Sequence, residues 1–510
     1  MGDKPRVLIF IVAYNAEKTI ESVLDRIPRS LTDLYDVEVL VIDDSSQDKT
    51  FERGEAARQA KSLPFPLHVL FNPVNQGYGG NQKIGFHFAI ERGFNFVALV
   101  HGDGQYAPEC LPDLLQPLVA GDADAVFGSR MLTHGAARAG GMPIYKFVGN
   151  KILTWFQNMV LRANLSEFHS GYRVYSVDAL RRIPFHLNTN VFHFDTEIII
   201  QLLFSGQRIK ELPIPTYYGD EICHVDGLKY AWDVAVATSK ARAQELSIFY
   251  DRKFDVDQAQ AMRLGDDSKL TFNSGQSRVL AAIPEGSRIL DLNPEMTYLS
   301  EALVGKRCTV DGLGLSQPVV SDHLSRFVHH DLSSDTPLPP LHGYDYVLLL
   351  DVVNKVREPE AFVDRLREAS ALGTNTRFIV TAGNIGFFIP RLMHLLGQFN
   401  YSKRGTLDLH SRRLFVFSSL RRLFEQGGFE VLETAGIPAP YPLAIGDNFV
   451  SRVLLKINSL LARLWSSLFG YQIYAVVKLA PALPYLLRGA YEQSAERAKA
   501  VAEEVSIKTT

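Results

Sequence analysis

At 510 residues the chain is too long for a single small fold and calls for two to four domains at roughly 100–200 residues each. With 46% hydrophobic and 21% charged residues it is neither a disordered nor a collagen-like chain. The net charge of −3 argues against nucleic acid as a partner, and three scattered cysteines with no CxxC pair exclude a disulfide framework or a zinc ribbon and fit a reducing cytoplasm.

Residues 7–12 form a continuous apolar run that Tyr14 and Asn15 close at once, so the chain begins with a buried strand and not a signal peptide. Ile20, Val23, Leu24 and Ile27 then fall at helical spacing, and residues 37–42 form a second apolar run. That run ends on Asp43 and Asp44. Paired acids at a strand end either hold a nucleobase and ribose or cap the following helix. Next comes Asn75-Gln76-Gly77-Tyr78-Gly79-Gly80-Asn81, where glycines allow backbone to approach a ligand closely, followed by a helix reaching Glu91.

A third run, residues 97–100, leads directly into His101-Gly102-Asp103-Gly104-Gln105-Tyr106. Aspartate and amide oxygens at a strand end are hard ligands suited to Mg²⁺ or Mn²⁺, and such an ion would neutralise a diphosphate leaving group. Strand–helix alternation predicts an α/β domain with a mostly parallel sheet, whose ligands bind at the carboxyl ends of the strands. Between Asp124 and Glu167 there is no acidic residue. Arg130, Arg138, Lys146, Lys151 and Arg162 alternate there with Tyr145, Phe147, Trp155, Phe156 and Met159. The stretch suits either a phosphate head with a lipid tail or a helix whose aromatic face packs on the core.

Domain boundaries follow from composition: 1–248, a polar linker over 249–274, a second domain over 275–482, and a charged, Ala-rich helical tail over 483–510. The second domain repeats the alternation through RILDL, CTVDGL, RFVHHDL, YDYVLLLD, TRFIVTA, FEVLETAG and YQIYAVVKL, seven strands of a second doubly wound sheet. Its residues 387–396 and 453–469 are basic and apolar, fitting either a membrane interface or the covering of the sheet. The apolar stretch 464–477 is shorter than the ~20 residues a spanning helix needs. A cytoplasmic protein is expected, peripheral on the inner face of the membrane.

Six motifs in order (VAYNAEKTI, VIDDSSQDKT, NQGYGGNQKIG, HGDGQYAPE, FGSRM and SGYRVYS) resemble the family 2 glycosyltransferases, in the dolichol-phosphate mannosyltransferase and polyprenyl-phosphate glycosyltransferase branch. The resemblance implies a Rossmann-like GT-A fold and inverting, metal-dependent transfer from a nucleotide-sugar donor to a polyprenyl phosphate. By position it puts Tyr14, Asn15, Asp43, Asp44, Gly77 and Gly79 at the donor, and Asp103 and Gln105 at the metal. His101, standing where the family's first metal-site acid would be, is the third metal candidate. Arg130 and Arg173 would meet the acceptor phosphate, joined by Lys146 of the basic stretch, and Glu197 would be a late acidic residue of the active site; Asp103, Glu197 and Asp195 are the catalytic candidates. A saccharide acceptor, whose hydroxyl needs a general base such as Asp195 or Glu197, is the alternative.

The second domain is similar to class I S-adenosylmethionine-dependent methyltransferases. That resemblance implies cofactor contacts at Asp291, Asp311 (ribose) and Asp331 (adenine). Yet Asn293, Glu295 and Thr297 replace every glycine expected in the turn after its first strand, which crowds the cofactor site. The domain is therefore read either as a degenerate fold kept for docking or regulation, or as a second enzyme that methylates the product.

Overall fold

A computed structural model describes residues 4–480 except 62, 216–225, 247, 257–268, 293, 295–296, 316–322, 371–374 and 404, and beyond them 490–491, 493–495 and 497. The chain divides into two compact units, Met1–Arg263 and Leu264–Thr510. The middle of the predicted linker and most of the predicted tail lie outside the described residues. The linker's start, however, belongs to the first unit: Phe254 and Val256 are buried in its core.

In the first unit seven strands, β1 (Arg6–Ala13), β2 (Asp36–Asp43), β3 (Leu67–Phe71), β4 (Phe96–His101), β5 (Ala125–Ser129), β6 (Arg173–Ser176) and β7 (Ile209–Pro213), form one sheet. Their order is β3-β2-β1-β4-β6-β5-β7, parallel except for β6. The longer helices are α1 (Ile20–Asp25), α2 (Thr50–Ala60), α3 (Gly77–Glu91), α4 (Leu111–Val119), α5 (Ile144–Leu161), α6 (Phe194–Phe204) and α7 (Gly227–Glu245). Continuous apolar runs in β1 and β4 suit strands covered on both faces. Alternation divides them accordingly, with Leu8 and Phe10 in one core layer and Val7, Ile9 and Ile11 in the other.

The chain winds from β1 outward to β3, then returns to place β4 on the other side of β1. That reversal opens a crevice at the carboxyl ends of β1 and β4, the place where open α/β sheets bind ligands. The last residues of β1, β2 and β4 therefore converge on one edge of the sheet.

The second unit contains β8 (Arg288–Asp291), β9 (Thr309–Gly314), β10 (Arg326–His329), β11 (Tyr346–Leu350), β12 (Arg377–Gly383), β13 (Phe429–Ile437) and β14 (Gln472–Leu479). Their order is β10-β9-β8-β11-β12-β14-β13, with β14 antiparallel to both neighbours. Its longer helices are α8 (Gly275–Ala282), α9 (Thr297–Gly305), α10 (Pro359–Ala369), α11 (Phe388–Leu395), α12 (Phe417–Gln426) and α13 (Phe449–Leu464). All seven strands read from the sequence are present.

Candidate functional site

Three loops at the carboxyl edge of the first sheet are tied to one another. Asn15 takes a left-handed backbone (φ 49°) just after β1. Its amide donates to Ser46 Oγ (2.8 Å), and its Oδ1 accepts from the Gln47 amide (2.9 Å). Thr19 donates to the Gly102 carbonyl (2.6 Å), which joins the β1 and β4 loops. Tyr14 stands half-exposed beside this seam.

The two acids that end β2 divide the work. Asp44 Oδ1 accepts from Asn72 Nδ2 (2.7 Å) and the Gln76 amide (2.8 Å), anchoring the segment that leads into α3. Asp43 is fully buried; its Oδ1 accepts from the Ser46 amide (2.9 Å), while its Oδ2 has no hydrogen-bond partner. Burial raises the Asp43 carboxyl above its ordinary value, against the pull of Ser46. A buried acceptor left unpaired is costly, which sets Asp43 Oδ2 apart as an unsatisfied acceptor at this edge.

The glycines of the next motif serve packing. A Cβ on Gly79 would lie 2.5 Å from the Thr189 carbonyl oxygen and 2.7 Å from Phe194 Cβ. The Gly79 amide donates to Asn190 O (2.8 Å). Gly77 likewise faces the Asn190 carbonyl. Both were expected at the donor; instead they let α3 close onto the segment entering α6.

Asp103 is exposed after β4, and its Oδ1 accepts from the Gln105 amide (2.9 Å). His101 turns into the protein. Its Nε2 meets the Tyr78 hydroxyl at 3.2 Å, its ring lies edge-on to Tyr106, and a Cβ on Gly171 would come within 2.5 Å of it. Burial lowers the His101 imidazole, against the raising influence of Asp103 and Asp195. In this structure His101 Nε2 is engaged by Tyr78.

Among the described residues no three His, Cys, Asp or Glu side chains gather as a metal centre. A single carboxylate is nonetheless enough for Mg²⁺, which keeps several waters and binds through one or two carboxylates plus substrate phosphates. Asp103, with Gln105 beside it, fits that role.

Behind His101 lies a buried polar cluster. Tyr78 donates to Asp195 Oδ2 (3.0 Å) and Gln82 Nε2 donates to Asp195 Oδ1 (3.2 Å). Arg173 Nη1 sits 3.4 Å from Asp195 Oδ1 and donates to the Asp195 carbonyl (3.1 Å). The rest of the Arg173 guanidinium is spent on the carbonyls of Ser170 (2.8 Å) and Phe168 (2.9 Å). With Nε, Nη1 and Nη2 all engaged inside the protein, Arg173 positions Asp195 and not an acceptor phosphate.

Arg130 is similarly engaged. It binds Glu167 through Nε (3.1 Å) and Nη2, and Nη2 also donates to the His169 carbonyl (3.1 Å). Burial would raise the Glu167 carboxyl, but the charge and hydrogen bonds of Arg130 hold it below its usual range. Glu197, also 1% exposed, accepts from Lys253 Nζ (2.7 Å) and the Thr189 amide (2.7 Å), so it braces the loop before α6 and does not face the crevice. Of the three acceptor-phosphate candidates only Lys146, half-buried on the first turn of α5, stays near the surface.

Tyr78, Gln82 and Tyr106 were not read as site residues, although the first two lie in or beside the glycine motif and Tyr106 ends the HGDGQY motif. His169 also escaped notice. Its Nδ1 pairs with the Tyr230 hydroxyl (2.9 Å) and its buried Nε2 has no partner. Burial lowers its imidazole to about 4, whereas an unfolded histidine titrates near 6.5. Between those values the unfolded chain takes up a proton that the folded one refuses. This contribution to stability is complete above about pH 6.5 and is lost as pH falls toward 4. Denaturant midpoints at pH 7 and pH 5 should therefore differ less for His169→Asn than for the wild type; equal differences would contradict the assignment.

A family model described as Glycosyl transferase family 2 matches residues 8–183. The undecaprenyl-phosphate mannosyltransferase of Micrococcus luteus is 30% identical over 214 residues, covering 41% of this chain and 82% of that one. The chain belongs to glycosyl transferase family 2. It is a glycosyltransferase, and its first unit has the GT-A fold. Two further relatives of this family 2 enzyme are a polyprenol monophosphomannose synthase of Mycolicibacterium smegmatis (27% identical, 41% of this chain, 76% of that one) and the UDP-N-acetylglucosamine–dolichyl-phosphate N-acetylglucosaminyltransferase of Methanococcus voltae (27%, 43% and 88%).

The second unit of the glycosyltransferase matches the family model Methionine biosynthesis protein MetW over residues 274–405 and is methyltransferase-like in fold. Two of its three candidate cofactor carboxylates have partners within the unit. Asp311 accepts from the Tyr344 hydroxyl (2.7 Å), and Asp331 accepts from the Ser333 amide (2.8 Å) within its own turn. Asp291 is buried at the end of β8. Pro294 packs on the end of β9, where a Cβ on Gly312 would lie 3.2 Å from its ring. Asn293 and Glu295 lie outside the described residues.

Proposed function

We propose that the enzyme transfers a sugar, with inversion, from a nucleotide-diphosphate donor to a polyprenyl phosphate, as a peripheral protein at a membrane. The observation that carries the acceptor is the orientation of α5. This helix buries Thr154, Gln157 and Leu161 while Ile144, Tyr145, Ile152, Trp155 and Met159 face outward. A surface helix ordinarily does the reverse. Trp232 of α7, a helix that packs against α5, is exposed as well. An isoprenoid chain beside a phosphate would cover such a face, and the acid-free, basic stretch around it favours the phosphate. The names of the relatives, which act on undecaprenyl, polyprenol and dolichyl phosphates, support the same acceptor class.

In this reading Asp43 binds the nucleoside and Tyr14 flanks it. Asp103 and Gln105 would hold Mg²⁺ or Mn²⁺, which when bound neutralises charge on the leaving diphosphate. An acceptor phosphate oxygen forms the new bond to the anomeric carbon from the face opposite the diphosphate. The old carbon–oxygen bond breaks, and its electron pair leaves with the nucleoside diphosphate. A phosphate is already anionic and needs little general base. A saccharide hydroxyl would need one, and Asp195 and Glu197 are both engaged by internal donors, which disfavours that alternative.

Replacing Ile152 and Trp155 together by serine should raise the KM for a long-chain polyprenyl phosphate about tenfold or more while leaving the KM for the donor unchanged. Equal KM values for the lipid in variant and wild type would remove α5 from the acceptor site.

A further inference from the structure

The second unit carries its own apolar surface, on elements that the transfer reaction does not use. Helix α13 starts at a capping box in which Asn448 Oδ1 accepts from the Ser451 amide (3.0 Å). Its inward side is small or polar: Ser451, Asn458 and Ala462, with Leu455 alone as a large apolar residue. Asn458 ties that side down, accepting from the Ala439 amide (2.8 Å) and donating to the Phe469 carbonyl (3.0 Å). Outward lie Phe449 (81% exposed), Val450, Ile457, Leu460 and Leu464 (76%). The amphipathicity is inverted.

Helix α11 does the same on a smaller scale. Only Pro390 is buried, while Leu392 and Leu395 (82% exposed) face solvent. The sequence carries no acidic residue between Glu368 and Asp408, nor between Asp447 and Glu492, although the whole chain has a net charge of −3. Arg391, Lys456 and Arg463 lie on these two helices. Against a second copy of the chain such a face would set basic groups against basic groups. Against an anionic lipid headgroup layer both halves of the pattern are satisfied, apolar side chains entering the acyl boundary and cations meeting the headgroups.

We infer that α13, with α11, is a membrane-docking surface of the methyltransferase-like unit that takes an anionic lipid bilayer. The unit serves to hold the enzyme at the membrane. The test uses the full chain and sedimentation with vesicles of phosphatidylcholine alone or with phosphatidylglycerol. Wild type should sediment with the anionic vesicles and much less with the neutral ones. The variant Ile457→Ser/Leu460→Ser/Leu464→Ser should lose at least about tenfold in vesicle affinity. It should keep wild-type turnover with a short, detergent-dispersed polyprenyl phosphate.

Unchanged vesicle affinity in the variant would overturn the inference, as would failure of the wild type to bind. A wild-type dimer that the same substitutions convert to monomer in ultracentrifugation would assign the face to a second copy instead. Sedimentation requires no turnover, so its outcome stands apart from the identity of the acceptor.

Discussion

Asp103→Asn should lower transfer by about three orders of magnitude while leaving the melting temperature within a degree or so of wild type. The carboxylate is exposed, and its one described hydrogen bond, from the Gln105 amide, can be kept by an amide oxygen. The substitution therefore removes charge and little else. What is lost is the carboxylate that the proposed function gives to the divalent ion. His101→Gln provides the contrast. It takes a ring from between Tyr78 and Tyr106, so it should cost stability as well as activity. Metal titrations of activity separate the two. Asp103→Asn should shift or abolish the Mg²⁺ or Mn²⁺ dependence, and full turnover in that variant would remove the metal from Asp103.

Arg173→Ala should destabilise the first unit by about 3–5 kcal/mol, because it leaves the buried Asp195 carboxylate without its cation. The same change also frees the carbonyls of Phe168 and Ser170 inside the protein. Had Arg173 served the acceptor phosphate, the variant would fold normally and fail only at high KM. Denaturant unfolding followed by fluorescence distinguishes the two. A wild-type midpoint together with a raised KM for the lipid would restore Arg173 to the acceptor.

The sheets were legible because their central strands are continuous apolar runs, and all seven strands of the second unit could be read in order. Four strands of the first unit were not. LHVLF and IKELP are half-exposed edges, AVFGS is short, and RVYS places Arg173 in the middle of the sheet, so none forms an obvious run. The antiparallel turn of β6 gave no local signal; it sets Arg173 opposite Leu99 and points its guanidinium at Asp195.

For the site, motif position pointed to Asp43, Asp103 and Asp195 but gave no direction for the neighbouring side chains. Glu197 lies two residues after Asp195, on the same helix, yet Lys253 claims it from a segment that composition alone assigned to a linker. The same limit applied to α5 and α13. Helical spacing reveals an apolar face and is silent on whether that face turns in or out. Here the decision lay with the partners: Asn458 anchors the opposite side of α13, and α7 packs against α5.

The most direct test of the account measures sugar transfer by the purified 510-residue enzyme. Nucleoside diphosphate release and lipid-linked product would be followed with a panel of nucleotide-sugars, Mg²⁺ or Mn²⁺, and polyprenyl phosphate present or omitted. The predicted result is release from one donor that requires both the lipid and the metal ion, with the sugar recovered on the lipid phosphate in inverted configuration. Equal release without the lipid, or sugar recovered on a saccharide hydroxyl, would contradict it.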